Sequence, residues 1–254
     1  MADTPRSFDG RIALVTGASR GIGWAVAKAL GAAGAHVVAV ARTAGALEEL
    51  DDAIRGEGGP APTLVPLDLK DMPALDRLGA ALYERFGRLD ALVLNAGLLG
   101  PLSPLTHIEP KAFDEVMTVN VTANWRLIRS LDPLLRQSDA GRVVVVSSSA
   151  AHKNRPFWGL YATSKAAVEH MALTYAAESE HTAVRLTIVD PGPLRTAMRA
   201  RAMPGEDPLT LRTPAELAPE VLRFLAPGWT ANGRLYDFRA GALMRVVPPE
   251  PVEG

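Results

Sequence analysis

The chain has 254 residues, 48% hydrophobic and 22% charged, with a formal net charge of −1 and a mean hydropathy of +0.08. That composition supplies the core of one large α/β domain and offers no basic field for nucleic acid or an anionic membrane surface. The absence of cysteine excludes disulfides, thiolate catalysis and Cys-ligated zinc, and no metal site is expected from the five histidines, which lack ligand spacing. The start, MADTPRSFDGR, has no apolar signal-peptide core and no apolar run reaches membrane-spanning length, so the expected location is cytoplasmic.

RIALVT (11–16) is the first candidate strand, a near-continuous apolar run of the kind buried on both faces of a parallel sheet. TGASRGIG follows and opens a helix on which Ile22, Val26, Ala29, Leu30 and Ala33 recur at helical spacing, with Gly34 as its stop. A glycine turn there lets the backbone approach a pyrophosphate, and the helix N-terminus adds unpaired amides and a positive dipole. Gly17 would make the turn, Gly21 the close approach and Gly23 the tight helix packing, with Ser19, Arg20 and Ile22 on the same loop. A tight turn of small residues that binds nothing is the plain alternative.

HVVAVA (36–41) is the second strand. An acidic residue at its end would bind the ribose 2′-hydroxyl of NAD, but none occurs before Glu48. Arg42, with Arg20, suits a 2′-phosphate instead, so NADP(H) is favoured and NAD(H) is the alternative. LEELDDAI and LDRLGAALYERFG read as helices around the third strand, TLVPL (63–67). Asp68, followed by Leu69, would either accept a hydrogen bond from the adenine amino group or cap the next helix.

LDALVLN (89–95) leads into Asn95, Ala96 and Gly97, and a long helical pattern over 113–135 carries Asn120 and Trp125. RVVVVSS (142–148) then runs into three serines, 147–149. Tyr161 and Lys165, at i and i+4, share a helix face. A cation beside a phenol lowers its reference pKa of about 10, and such a phenol exchanges a proton with a carbonyl or alcohol oxygen. Phe157 and Trp158 either wall a substrate site or simply pack. VRLTIVD (184–190) precedes Pro191, Gly192, Leu194 and Thr196. Residues 193–214, rich in Pro and charge, read as an irregular lid. Its Arg195, Arg199, Arg201 and Arg212 are either solvated or meet an anionic substrate. GRLYDF (233–238) is the last strand, and about 246–254 reads as a frayed tail.

Strand–helix alternation throughout implies an α/β, Rossmann-like doubly wound parallel sheet of about seven strands with helices on both faces, forming a single domain over 1–254. Ligands of such sheets sit beyond the carboxyl ends of the strands, which gathers TGASRGIG, LNAG, SSS and DPG on one edge.

In this order the motifs resemble the short-chain dehydrogenase/reductase family in its single-domain form, from RIALVTGASRGIG to about Phe238. The resemblance rests on the glycine loop, Asp68-Leu69, Asn95-Ala96-Gly97, Asn120, the serine, Tyr161-x-x-x-Lys165 and PGPLRT at 191–196. It implies that Ser148, thirteen residues before Tyr161, holds the substrate oxygen, leaving Ser147 and Ser149 to bond local backbone. Tyr161 would exchange the proton, while Lys165 lowers the phenol pKa and binds the nicotinamide ribose. Asn120 would hold a water of a proton relay. Asn95, Ala96 and Gly97 would line the cofactor near adenosine, and Pro191, Gly192, Leu194 and Thr196 would pass along its nicotinamide end.

The implied activity is hydride transfer between NAD(P) and a small-molecule carbonyl or secondary alcohol, chiefly NADPH-dependent reduction of a ketone or 3-oxoacyl-type group. The implied assembly is a homodimer or homotetramer, through the helices of Trp125 and Tyr161. Two departures stand out: Leu94 replaces a common Asn, and GRLYDFRAGALMRVV lacks the Gly-Gly that closes the family's last strand. The contrasting reading is a catalytically silent NADP(H)-binding sensor or scaffold on the same fold.

Overall fold

Each apolar run becomes a strand in the computed structural model, which describes residues 7–246: β1 (Ile12–Thr16), β2 (His36–Ala41), β3 (Thr63–Pro66), β4 (Ala91–Leu94), β5 (Arg142–Val146), β6 (Arg185–Asp190) and β7 (Arg234–Asp237). An eighth, β8 (Ala242–Met244), adds to the expected seven and pairs antiparallel with β7. Its hairpin is set locally: the Asp237 carboxylate accepts the amides of Arg239 and Ala240, and Gly241 takes a φ of 66°. Strand order is β3-β2-β1-β4-β5-β6-β7-β8, parallel up to β7. The order reverses between β1 and β4, where a crevice opens at the strand carboxyl ends.

The helices are α1 (Gly21–Ala32), α2 (Ala44–Gly56), α3 (Met72–Phe86), α4 (Pro110–Met117), α5 (Ala123–Arg136), α6 (Gly159–Glu178), α7 (Ala197–Ala202) and α8 (Pro214–Leu225). Alternate strand residues feed two cores. Ala13 and Val15 pack with Val26 and Leu30 of α1, Leu50 and Ile54 of α2, and Phe224 of α8. Leu14 packs on the other side with Leu75 of α3, Leu127 and Leu131 of α5, and Val168 of α6.

Two expectations change in detail. The pattern over 113–135 is not one α-helix, because five residues, Thr118–Thr122, wind as a π-helical turn between α4 and α5 and carry Asn120 at its centre. The segment 193–214 is not irregular throughout: it holds α7 and a 3-10 turn at Pro208–Thr210, and a bridge between Leu194 and Arg212 closes its ends. The tail expected over 246–254 lies, apart from Val246, outside the described residues. No helix among the described residues is long and apolar enough to cross a membrane.

The sheet edge opposite the crevice is held by Asp90. Its carboxylate accepts the Ile12 amide (2.8 Å), the Ser138 hydroxyl (2.6 Å) and the guanidinium groups of Arg11 (3.2 Å) and Arg88 (3.2 Å). Removing it orphans a buried amide and hydroxyl. Asp90→Ala is expected to cost about 3 kcal/mol in chemical denaturation. Dinucleotide affinity, measured well below the melting temperature, should be retained, because no part of this network reaches the crevice.

Candidate active site

The glycine turn after β1 is shaped by what lies beneath it. Gly17 and Gly21 take positive φ (67° and 59°), a conformation that disfavours any side chain. A Cβ on Gly23 would stand 2.3 Å from the Gly17 carbonyl oxygen and 2.4 Å from Asn95 Nδ2, so only glycine lets α1 close on the turn. Asn95 braces that turn from below, its amide donating to the carbonyls of Thr16 (2.9 Å) and Gly17 (3.4 Å). Thr16 completes the brace: its hydroxyl donates to Val93 O and accepts the amides of Asn95 and Ala96. Arg20 is the N-cap of α1 and its side chain caps nothing, which leaves the helix amides open toward the crevice.

A cavity of about 880 Å³ runs along this edge. It is lined by Gly17, Ser19, Arg20, Gly21, Ile22, Arg42, Asp68, Leu69, Asn95, Ala96 and Gly97 together with Ser148, Tyr161, Lys165, Pro191, Gly192, Leu194 and Thr196. The two sets meet: a Cβ on Gly97 would lie 3.6 Å from Lys165 Nζ and one on Gly21 3.6 Å from Thr196 Cγ2, so Gly97 stands beside the Tyr–Lys pair rather than away from it. Two expected residues stand outside the lining. Gly23 packs beneath the turn, and Asn120 is fully buried. Asn120 Oδ1 accepts the Leu98 amide (2.7 Å), while Nδ2 donates to Leu98 O (2.9 Å) and Ser164 Oγ (2.9 Å). Both amide hydrogens are thus committed to tying the segment after β4 to α6. Asp68 does not cap α3, a place taken by Asp71, but accepts the Lys70 amide (3.0 Å) in a local turn. Arg20 and Arg42 are exposed and form no ion pair among the described residues.

The three serines divide sharply. Ser148 is extended (φ −166°, ψ 147°) at the start of a 3-10 turn over Ser149–His152, and its Oγ accepts the Ala150 amide (3.2 Å). Ser148 also draws the Tyr161 phenol pKa down, against the effect of burial. Ser147 does not bond local backbone as expected: it is buried and donates to the Glu169 carboxylate, 22 positions away. The Ser149 backbone helps to hold down the Asp190 carboxyl, which burial pushes up.

Glu169 escapes sequence reasoning, although it stands one helical turn past Lys165 on the buried face of α6. Its second oxygen pairs with His152 Nε2 at 2.7 Å, so Glu169 clips both ends of the serine segment to α6. Burial pushes the Glu169 carboxyl up, opposed by Ser147 and His152.

Lys165 is 5% exposed and donates to Val146 O at 2.8 Å, the carbonyl that ends β5. Its Nζ lies 5.8 Å from the centroid of the Tyr161 ring. Burial moves both groups toward their neutral forms. The Tyr161 phenol is pushed up to about 12, against Ser148, and the Lys165 ammonium is brought down to about 8, against Glu169 and Asp190. In the free protein, with the tyrosine nearly all buried, desolvation is the largest influence on the phenol, and Ser148 opposes it. Trp158 lines the cavity and meets the Tyr161 ring edge-on (centroids 6.1 Å apart), whereas Phe157 points to solvent.

A glycine turn over open helix amides, a brace beneath it and a buried Tyr–Lys pair on the same cavity define a dinucleotide-dependent oxidoreductase site. The family model for short chain dehydrogenase matches residues 11–207, and the chain belongs to that family. The uncharacterized oxidoreductase YciK of Escherichia coli strain K12 is 41% identical over 214 residues, covering 84% of each chain. A short chain dehydrogenase from Shigella flexneri superposes with a TM-score of 0.89 at 36% identity, covering 97% of each chain. A structure from Escherichia coli CFT073, complexed with NADPH, superposes with a TM-score of 0.88 at 38% identity, covering 92% of this chain and 98% of that one.

Because the folded pKa of Lys165 lies below its ordinary 10.5, the penalty for keeping it charged is full at neutral pH and fades as pH rises from about 8. Lys165→Met should therefore keep or raise the melting temperature at pH 7 while abolishing turnover, the gain shrinking toward pH 10. A destabilisation of more than about 1 kcal/mol at pH 7 would contradict the burial argument.

Proposed function

We propose that the protein reduces a ketone or 3-oxoacyl-type carbonyl with NADPH, Ser148, Tyr161 and Lys165 acting on the substrate oxygen. The observation that carries this reading is their convergence on the cavity that the braced glycine turn also lines. Bound NADPH would supply the hydride. The open amides of α1 fit its pyrophosphate, and Lys165, buried with a single protein acceptor, has N–H groups left for the nicotinamide ribose.

The chain's own part is to hold the carbonyl oxygen and give it a proton. A phenol with a pKa of about 12 remains protonated at neutral pH and is suited to act as the acid of a reduction. Ser148 donates its one hydrogen to the same oxygen, and the nearby Lys165 cation steadies the phenolate left behind. Asn120 contributes by holding the segment around Gly97 against α6, and one lone pair of its Oδ1 remains for the relay water.

The preference for NADP(H) rests on Arg42 and Arg20, free of ion pairs where a ribose-binding acid is lacking, and the similar Escherichia coli CFT073 structure was complexed with NADPH. Assembly as a homodimer or homotetramer through α5 and α6 belongs to the same reading, supported by Trp125, which is 46% exposed on α5.

A carbonyl panel followed at 340 nm tests the activity. Ser148→Ala and Tyr161→Phe should each lower kcat/KM by about a hundredfold or more. Ser147→Ala and Ser149→Ala should retain most turnover, the former losing about 1–3 kcal/mol of stability because Glu169 loses a buried donor. Full turnover in Tyr161→Phe would sink the mechanism, and NADPH binding without turnover across the panel would favour a sensor. In calorimetry, NADPH should bind more tightly than NADH, with Arg42→Ala erasing about tenfold of that preference. Tighter binding of NADH would overturn the cofactor assignment.

A further inference from the structure

At the substrate end of the cavity, charge and apolar surface are sorted in a way that hydride transfer alone does not require. Around Tyr161 the walls are apolar: Leu99 and Ala150 are buried against it, and Leu102, Trp158 and Met198 pack alongside. The turn from Ser148 to Tyr161 passes over this throat and carries Lys153 and Arg155, both exposed and both lining the cavity. The Arg155 amide bonds Lys153 O, and the Trp158 amide bonds Arg155 O, so both cations ride on the turn that delivers Trp158 to the throat.

Of the other charged groups of the lining, Arg20 and Arg42 flank the glycine turn and Arg239 stands beside Gly192, none of them in an ion pair among the described residues, and the rest are answered. In the lid, Arg199 pairs with Glu206 (2.6 Å), and Arg195 donates to Pro208 O (2.8 Å). Arg212 lies 3.5 Å over the Phe238 ring and pairs with Glu216. Those arginines hold the lid together rather than face a ligand. Asp190 accepts the amide of Gly192, and Glu115 pairs with Lys70. Lys153 and Arg155 have no ion pair among the described residues, although the Lys153 charge reaches the Asp190 carboxyl at longer range. In a chain of net charge −1, two free cations over an apolar throat are a local excess of positive charge.

We infer that the substrate is an amphipathic anion: a carbonyl on an apolar skeleton that fills the throat, with a carboxylate or phosphate further along the chain meeting Lys153 and Arg155. The inference rests on the reductase reading, since it assumes that the carbonyl lies at Tyr161. Carboxylate and phosphate share the chemistry that recognises them here, and Arg155 can take either through two parallel N–H bonds.

A chain-length series of methyl-ketone carboxylic acids, the matching phosphate esters of methyl-ketone alcohols, and the neutral methyl esters of the acids separates these cases. Turnover with NADPH is measured for each, and so is calorimetric binding to NADP-saturated protein. At some chain length an anion should exceed its neutral ester in kcat/KM and in affinity, and which anion leads identifies the source of the charge. That preference should shrink as salt is raised, and Lys153→Ala/Arg155→Ala should lower the anion-to-ester ratio about tenfold. Esters bound as tightly as anions at every length, or a ratio that the double variant leaves untouched, would overturn the inference. Anions bound selectively but never reduced would overturn the reductase reading and leave the charge selectivity standing.

Discussion

The bond from Lys165 Nζ to the Val146 carbonyl, 2.8 Å long and buried, fixes the geometry of the site at a cost in stability. Val146 ends β5 and the serines follow at once, while Lys165 stands one turn beyond Tyr161 on α6. The ammonium therefore sets the depth at which the tyrosine helix seats against the serine-bearing strand. Glu169 repeats the attachment one turn later, gripping Ser147 and His152. Through Ser164, Asn120 joins the same helix to the segment after β4. Two strand ends and one helix are thus bound by polar side chains in an otherwise apolar interior, a costly arrangement that a purely structural helix would not need.

Burial decides the protonation states. A cation near a phenol suggests a lowered pKa, yet Tyr161 is held near 12 and Lys165 near 8, because both lose more hydration than their neighbours return. That balance suits a proton donor more than a base. It also explains why the acidic partners of Lys165, Glu169 and Asp190, are themselves tied by hydrogen bonds rather than left to neutralise it directly.

Much of this was legible in the sequence where the cause is local. β-branched runs gave parallel strands, the glycines gave a turn at positive φ, and i, i+4 spacing set Tyr161 and Lys165 on one face. What was not legible depends on partners distant in the chain. Nothing near Ser147 announces Glu169, nothing in 113–135 announces a π turn, and the lid arginines are committed to carbonyls and a carboxylate that meet them only once the lid folds. β8 has three residues, two of them exposed, and so lacks the hydrophobic alternation that marks a strand. Thr16 was passed over as a strand end, although its one hydroxyl joins β1 to β4 beneath the glycine turn.

The pH dependence of kcat for NADPH-driven carbonyl reduction tests the central claim most directly. With Tyr161 protonated to about 12 and Lys165 charged only below about 8, the rate should be level through neutral pH and fall as the ammonium is lost above pH 8. A rate that instead climbs through pH 8 would show a phenolate at work, and would contradict the assignment of Tyr161 as a buried acid above a buried cation.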